Sequence, residues 1–401
     1  MPNPKFGNLA GLKVVATAAG VAGPFTAELF AENGAEVIFI ENPNVLDVAR
    51  TWPYGWATER KNMKTMLLDN GMPEAAPVFE ALMKWADVYI ESFKAGTVDK
   101  WGWTDEKLWS VNPKLIITHI SGFGQTGDPE YVRRAAYDFI GQSFGGIVQF
   151  NGLPEPGQPA YMRPYSCDYT TGLMAAWSTL AAHINAIKTG KGESIDVSLY
   201  ESALRLQWHF SAQGFNDGTE AQRVADMDAY IAGDSFYRTK DDKYITIGMM
   251  GTGPLKRGLK IIGLGDDPDF KEIQIVMKSH GKIAERFVQA VRDYCLQHTA
   301  AELEKTFNDA QVPCTPLMNY ADMMENSHYK AREDIIEIYS PIHEKNIKSV
   351  APVPKFKNKP QQVFSGGALP GANTDEILKE IVGLDDAAIR TLREKYVVAQ
   401  K

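Results

Sequence analysis

The chain is poor in cysteine, with only Cys167, Cys295 and Cys314 among 401 residues. Thiols so few and so scattered give neither a disulfide framework nor a thiolate zinc site. They suit a reducing compartment, so a cytoplasmic protein is expected. Long hydrophobic runs are missing too. No apolar stretch reaches the roughly 18 residues of a membrane span. The first residues lack the basic start and apolar core of a secretion signal, so none is expected. Positive charge is in deficit, with 42 Lys and Arg against 50 Asp and Glu and a formal net charge of −8. A nucleic-acid binder needs a basic face to displace counterions, so that class is excluded; a local basic pocket for one phosphorylated ligand is not. The seven histidines show no metal-ligand spacing, and no metal site is expected.

What is present is ordinary for a globular protein: 44% hydrophobic and 23% charged residues. The length exceeds what one hydrophobic core fills, which predicts about two domains. In the first half, strand-like and helix-like segments alternate. Leu12–Ala16, Ala35–Glu41, Met66–Asp69, Asp87–Glu91, Lys114–Ile120 and Ser194–Val197 read as strands. Gly23-Pro24 opens a helix that Asn33-Gly34 closes, and Pro73–Ala86, Asp105–Ser110, Tyr169–Lys188 and Leu199–Gln213 read as further helices. Such alternation predicts an α/β fold, a largely parallel sheet with helices on both faces. A polar run from Asn216 to Asp228 marks a boundary. We expect a large domain over 1–222, a smaller α+β domain over 223–330, and a linker with a C-terminal segment over 331–401. In the smaller domain Tyr244–Met249 reads as a strand, Gly251–Pro254 as a loop, and Ile283–His298 and Ala301–Asp309 as helices.

Three motifs carry candidate chemistry. Gly122-Phe-Gly124-Gln-Thr-Gly127 has the letters of a dinucleotide fingerprint but lacks the acid about 20 residues on, so a tight turn is the better reading. Gly141-Gln-Ser143-Phe-Gly145 has the letters of a nucleophile elbow, and His183 and His209 follow it, which leaves a serine hydrolase open. Asp168 precedes a strong helix. Taken alone it reads first as an N-cap; the same geometry also suits a carboxylate whose pKa the helix start draws down and which could attack a thioester. Residue chemistry alone does not separate these two readings.

Several segments in order resemble the class III, formyl-CoA transferase-like CoA-transferase family, in its carnitine and bile-acid branch. They are Pro4-Lys-Phe-Gly-Asn-Leu-Ala-Gly-Leu-Lys-Val-Val15, Ala22-Gly-Pro-Phe25, Gly34-Ala-Glu-Val-Ile-Phe-Ile-Glu41, Asn112 to Pro129, Thr189-Gly-Lys-Gly-Glu-Ser-Ile-Asp-Val197 and Pro354-Lys-Phe-Lys-Asn-Lys-Pro360. The resemblance implies a Rossmann-like large domain, an interlocked homodimer, no tightly bound cofactor, and acyl-CoA and a carboxylic acid as substrates. It makes Asp168, in Tyr165-Ser-Cys-Asp-Tyr-Thr-Thr-Gly172, the nucleophile that forms an aspartyl anhydride and then a β-aspartyl-CoA thioester. Backbone N–H groups near the helix start would then stabilise the oxyanions. It further implies CoA contacts at Lys94, Lys100, Arg134, Ser92, Phe93 and Leu68. Lys100 stands where relatives often have Arg. Gly248, Gly251 and Gly253 resemble a glycine loop that closes over the aspartate. The acid would be a carnitine-type betaine, a bile acid or an arylpropenoate, and the aromatic loop Trp52, Tyr54, Trp56 hints at a cation–π cage or an aryl pocket.

Overall fold

Runs of Val and Ile that are buried along their whole length can only be strands covered on both sides. Four such strands, the buried strand Lys-Thr-Met-Leu and one more polar strand form one sheet in the computed structural model, which describes residues 5–225, 230–273, 277–279 and 281–399. The strands are β1 (Lys13–Thr17), β2 (Glu36–Glu41), β3 (Lys64–Leu67), β4 (Val88–Glu91), β5 (Ile116–Ser121) and β6 (Glu193–Ser198). Their order is β3-β2-β1-β4-β5-β6, and every neighbouring pair is parallel. The polar strand, Glu-Ser-Ile-Asp-Val-Ser, lies at the β6 edge, where charge discourages further pairing.

Six helices flank the sheet and shape its crevice: α1 (Ala22–Glu32), α2 (Ala76–Trp85), α3 (Asp105–Val111), α4 (Asp138–Phe144), α5 (Ser166–Thr189) and α6 (Leu199–Arg205). On one face of the sheet Val15, Ile38, Met66, Tyr89 and Ile117 form a core with Phe79 and Leu82 of α2 and Leu108 of α3. Ile377, Leu378 and Ile389 of the helices Thr374–Glu380 and Asp386–Glu394 complete it. α5 packs on α1 and on β5. The Thr118 and Thr179 hydroxyls are hydrogen-bonded at 2.7 Å, and the Thr26 hydroxyl donates to the Gly172 carbonyl at 3.2 Å. Only glycine allows that approach, because a Cβ on residue 172 would stand 2.8 Å from the Phe25 ring and 3.0 Å from the Ala22 carbonyl oxygen.

Backbone contacts divide the chain into two compact units. The first holds residues 1–147, 162–211 and 328–401, and so contains the sheet and the C-terminal helices. The second holds 148–161 and 212–327. It is built on the antiparallel strands β7 (Phe236–Arg238), β8 (Tyr244–Ile247) and β9 (Cys314–Pro316) and the helices Thr252–Ile261, Lys282–Gln297 and Ala300–Asp309. Ile245, Ile247, Leu255, Phe287, Val291 and Phe307 form its core. The polar run 216–228 lies partly outside the described residues.

Some expectations need correction. The helix expected over Leu199–Gln213 is broken where Trp208 adopts φ 50°, giving α6 and a second helix, Trp208–Asp217. Gly251–Pro254 is not a plain loop, since Gly251 (φ 88°) precedes the helix Thr252–Ile261. The hairpin β10 (Ile335–Ser340) and β11 (Lys345–Val350) and the helix Asp386–Glu394 were not expected. β11 and that helix are short and charged, and Ile338 and Ile347 of the hairpin gain burial only against the distant Ala57 and Val363. The linker expected at Pro352–Pro360 is continued by a strand-free segment tied down by distant partners. Asn62 donates to the Gln362 carbonyl at 2.7 Å and accepts from the Phe364 N–H at 2.9 Å.

Candidate active site

In a parallel sheet ordered 3-2-1-4-5-6 the crossovers leave β1 and β4 in opposite directions, so a crevice opens beyond the carboxyl ends of those strands. A cavity of about 780 Å³ stands there. Its wall is made by the turns at the strand ends: Thr17–Ala22 after β1, Glu41 and Asn42 after β2, Ser92–Lys94 after β4, and Gly122 after β5. Asp168, from the first turn of α5, completes it. Every lining residue belongs to the first unit.

Asp168 is not the N-cap. α5 starts two residues earlier, at Ser166, after Tyr165 in the left-handed region (φ 47°, ψ 40°), and no side chain of Tyr165 caps it. Asp168 therefore sits inside the helix. Its carboxylate makes no hydrogen bond or ion pair among the described residues, so nothing neutralises it. Burial pushes its pKa up to about 7, and the nearby Asp138 carboxylate adds to that. The downward shift expected from the helix start is overturned, since burial first and the Asp138 carboxylate second both raise it.

The cap is Asp138, from the start of α4. Its Oδ1 accepts from the N–H groups of Cys167 at 2.9 Å and Asp168 at 3.1 Å, and its Oδ2 accepts from Gln142 at 2.6 Å. Gln142 in turn holds the Met162 backbone, donating to its carbonyl and accepting from its N–H, each at 2.9 Å. The Cys167 and Asp168 amides, expected to be free for an oxyanion at this helix start, are thus already taken. Sequence reading missed Asp138. An acid at the start of α4 reads as that helix's own terminus, and nothing local says that it caps a helix thirty residues on.

Other carboxylates on the wall are neutralised. Arg60 donates to Asp47 at 2.7 Å and to the Gly20 carbonyl at 2.8 Å, and Arg50 grips Glu41 at 2.8 and 2.5 Å. This leaves the pair Asp138 and Asp168. Beside them Trp52 stacks on Tyr165, ring centroids 5.5 Å apart and planes 13° from parallel, and both rings line the cavity. Tyr54 and Trp56 do not: Tyr54 stacks on His343, and the Trp56 indole is buried and donates to the Ala368 carbonyl.

The structure brings Leu68, Ser92, Phe93, Lys94 and Arg134 together on the same cavity wall. Phe93 meets Trp101 edge-on at 5.3 Å, and Arg134 lies over the Tyr131 ring and pairs with Glu130. Lys100 ends the short helix Thr97–Lys100, exposed and outside the cavity lining. Gly248, Gly251 and Gly253 belong to the second unit, and Gly253 is already helical. Ser143 is no nucleophile elbow. It lies near the end of α4, is not part of the cavity wall, and its hydroxyl donates to the Phe139 carbonyl at 2.8 Å. Gly122 to Gly127 form a loop after β5, followed by the four-residue helix Pro129–Val132 that Asp128 caps. No pyrophosphate-binding helix opens there. Among the described residues, no helix is long and apolar enough to cross a membrane, and no three His, Cys, Asp or Glu side chains cluster as metal ligands.

Comparison with known proteins agrees with this geometry. The chain is 39% identical over 400 residues to the bile acid CoA-transferase BaiK of Clostridium scindens, covering 99% of this chain and 90% of that protein. Two solved structures are similar. One is a CAIB/BAIF family protein from Brucella suis, with TM-score 0.80, 26% identity and coverage of 94% of this chain and 100% of that one. The other, Rv3272 from Mycobacterium tuberculosis, shares the fold at TM-score 0.79 and 21% identity over the same shares. The model of CoA-transferase family III matches residues 9–376. That match takes in every strand of the sheet and every residue of the cavity wall, and so the chain belongs to CoA-transferase family III and is a CoA-transferase.

Proposed function

We propose that the enzyme moves CoA from an acyl-CoA to a free carboxylic acid with Asp168 as nucleophile. The observation that carries this is an unpaired carboxylate on the wall of a large cavity at the sheet's switch point. A carboxylate oxygen of Asp168 adds to the thioester carbonyl, and the C–S bond breaks, giving an aspartyl–acyl anhydride and CoA thiolate. The thiolate attacks the aspartyl carbonyl, releasing the donor acid and leaving a β-aspartyl-CoA thioester. The acceptor carboxylate then repeats the sequence in reverse. Two accessible steps replace one direct exchange at each stage. The exchange balances without an oxidant or reductant. α1 starts at the cavity rim without a side-chain cap; Pro24 has no N–H and the Phe25 N–H is bonded to Val21, so the Ala22 and Gly23 amides are the donors it offers to the developing oxyanions. Three free, buried cysteines support a cytoplasmic setting.

Incubation with acyl-CoA and then borohydride is the test. Reduction of the β-aspartyl thioester to the alcohol should change the mass of the peptide that carries residue 168. A label on Ser143, with an active Asp168→Ala variant, would replace this mechanism by a serine hydrolase.

For the acid, we propose a carnitine-type betaine, whose quaternary ammonium the Trp52–Tyr165 stack would receive. A bile acid is the second reading, favoured by the relative BaiK. A panel of acids read by mass spectrometry decides between them.

Lys94 and Arg134 are the cations on the wall, and we assign Lys94 to a CoA phosphate. Lys94→Ala should weaken CoA binding by about 1–3 kcal/mol, the range of charge-assisted hydrogen bonds, as measured by calorimetry. Lys100→Ala should weaken it less, since Lys100 lies outside the wall. An unchanged affinity in Lys94→Ala returns that lysine to solvent.

We also propose a homodimer of interlocked chains. Leu173, Trp177, Ile184 and Ile187 share one face of α5 and are all more than half exposed, an apolar stripe that a second copy would cover. Trp177→Glu with Ile187→Glu should sediment as a monomer if this face joins the copies.

A further inference from the structure

The fourth residue of β5 is a histidine held between two carboxylates. His119 Nδ1 lies 2.7 Å from Glu91 Oε1, and Nε2 lies 3.0 Å from Asp105 Oδ1. Burial raises the Glu91 pKa and the His119 hydrogen bond lowers it; with both carboxylates ionised they only accept, so both ring nitrogens carry hydrogen and the ring is an imidazolium. Burial opposes that charge, but the hydrogen bonds to Asp105 and Glu91 raise its pKa to about 10. Asp196 stands opposite His119 in the register with β6, yet its Oδ2 is engaged by the Gln125 N–H at 2.7 Å.

The second oxygen of Glu91 is what links this cluster to the cavity. Oε2 accepts from the Phe93 N–H at 2.7 Å, and Ser92, Phe93 and Lys94 form the turn that lines the cavity. That turn is fastened on both sides. Ser92 exchanges hydrogen bonds with the Ala19 backbone at 3.1 and 3.3 Å, and the Lys94 carbonyl accepts from the Thr97 hydroxyl at 2.6 Å. At its middle, the Phe93 N–H has Glu91 as its acceptor. A carboxylate buried there stays ionised only beside a fixed cation.

We propose that His119 is a positioning residue for the nucleotide end of the CoA thioester, acting through Glu91 on the Ser92–Lys94 turn. It touches neither substrate nor Asp168. The inference rests on the transferase reading above, and it separates binding of the nucleotide from the chemistry at Asp168. Without the imidazolium, Glu91 takes up a proton or swings toward water, Phe93 N–H loses its acceptor, and Lys94 is no longer presented in one place.

The test compares two donors, an acyl-CoA and the matching acyl-pantetheine, which lacks the nucleotide. His119→Gln should raise KM for acyl-CoA about tenfold, keep kcat within about twofold, and leave both constants for acyl-pantetheine unchanged. Asp105→Asn, which leaves His119 paired with Glu91, should show a smaller rise. Should His119→Gln not fold, Glu91→Ala gives the same comparison, since it removes the acceptor of the Phe93 N–H and leaves His119 paired with Asp105. Wild-type affinity for acyl-CoA in His119→Gln would overturn the proposal. So would an equal loss with both donors, because the residue would then only support the fold. A wild-type enzyme that binds neither CoA nor acyl-CoA would instead overturn the transferase reading.

Discussion

Asp168→Asn is expected to lower kcat by about four orders of magnitude or more, the scale of losing a covalent nucleophile. The amide has the same shape but cannot add to a thioester and leave again as a carboxylate. Stability should move the other way. In the folded chain Asp168 has its pKa raised from 3.8 to about 7, chiefly by burial. The native state therefore holds a proton more firmly than the unfolded one. Stability falls as pH rises from about 4 to about 7 and stays low above it. Asn carries no charge, so at pH 8 the variant should be more stable, on the order of a few kcal/mol at most. Urea unfolding at pH 5 and pH 8 checks this, with the variant's gain over wild type clearly larger at the higher pH. A gain of equal size at both pH values would show that the Asp168 pKa is not raised, and substantial residual turnover would show that Asp168 is not the nucleophile.

Replacing Asp138 separates two duties of one side chain. Asp138→Ala removes the acceptor for two amides at the start of α5 and leaves Gln142 with only its bonds to the Met162 backbone. Loss of such a cap costs about 1–2 kcal/mol. A displaced nucleophile should lower kcat by about tenfold to a hundredfold. Asp138→Asn keeps an oxygen for the amides but removes the charge that helps to raise the Asp168 pKa. With Asp168 as the proposed nucleophile, only its ionised form would attack, so wild-type kcat/KM should climb with pH to a plateau above about 7. In Asp138→Asn that acid limb should move to lower pH, with the plateau height largely kept. A limb that does not move would mean that burial alone sets the Asp168 pKa.

The parallel sheet was legible because its strands are buried on both faces. Val14-Val15, Val37–Ile40 and Ile116-Ile117 cannot be placed any other way, and local turn chemistry at Asn33-Gly34 marks the end of α1. Asp168 was legible as a candidate, since an acid at a helix start is visible in the letters. Its surroundings were not. The neighbour that caps its helix, Asp138, comes from another helix thirty residues earlier, and the raised pKa follows from burial, which no local pattern reports. Periodicity over a short stretch does not show where a chain bends back. The break at Trp208 and the hairpin β10–β11 were missed for that reason. The sequence by itself thus determined the strands, the helices flanking them and the acid that could act. Only tertiary structure decided that this acid is unpaired and half-buried beside a second carboxylate, and that His119 lies between Glu91 and Asp105. Burial and charge pairing depend on residues far apart in the chain, and they come together only when the sheet's switch point forms.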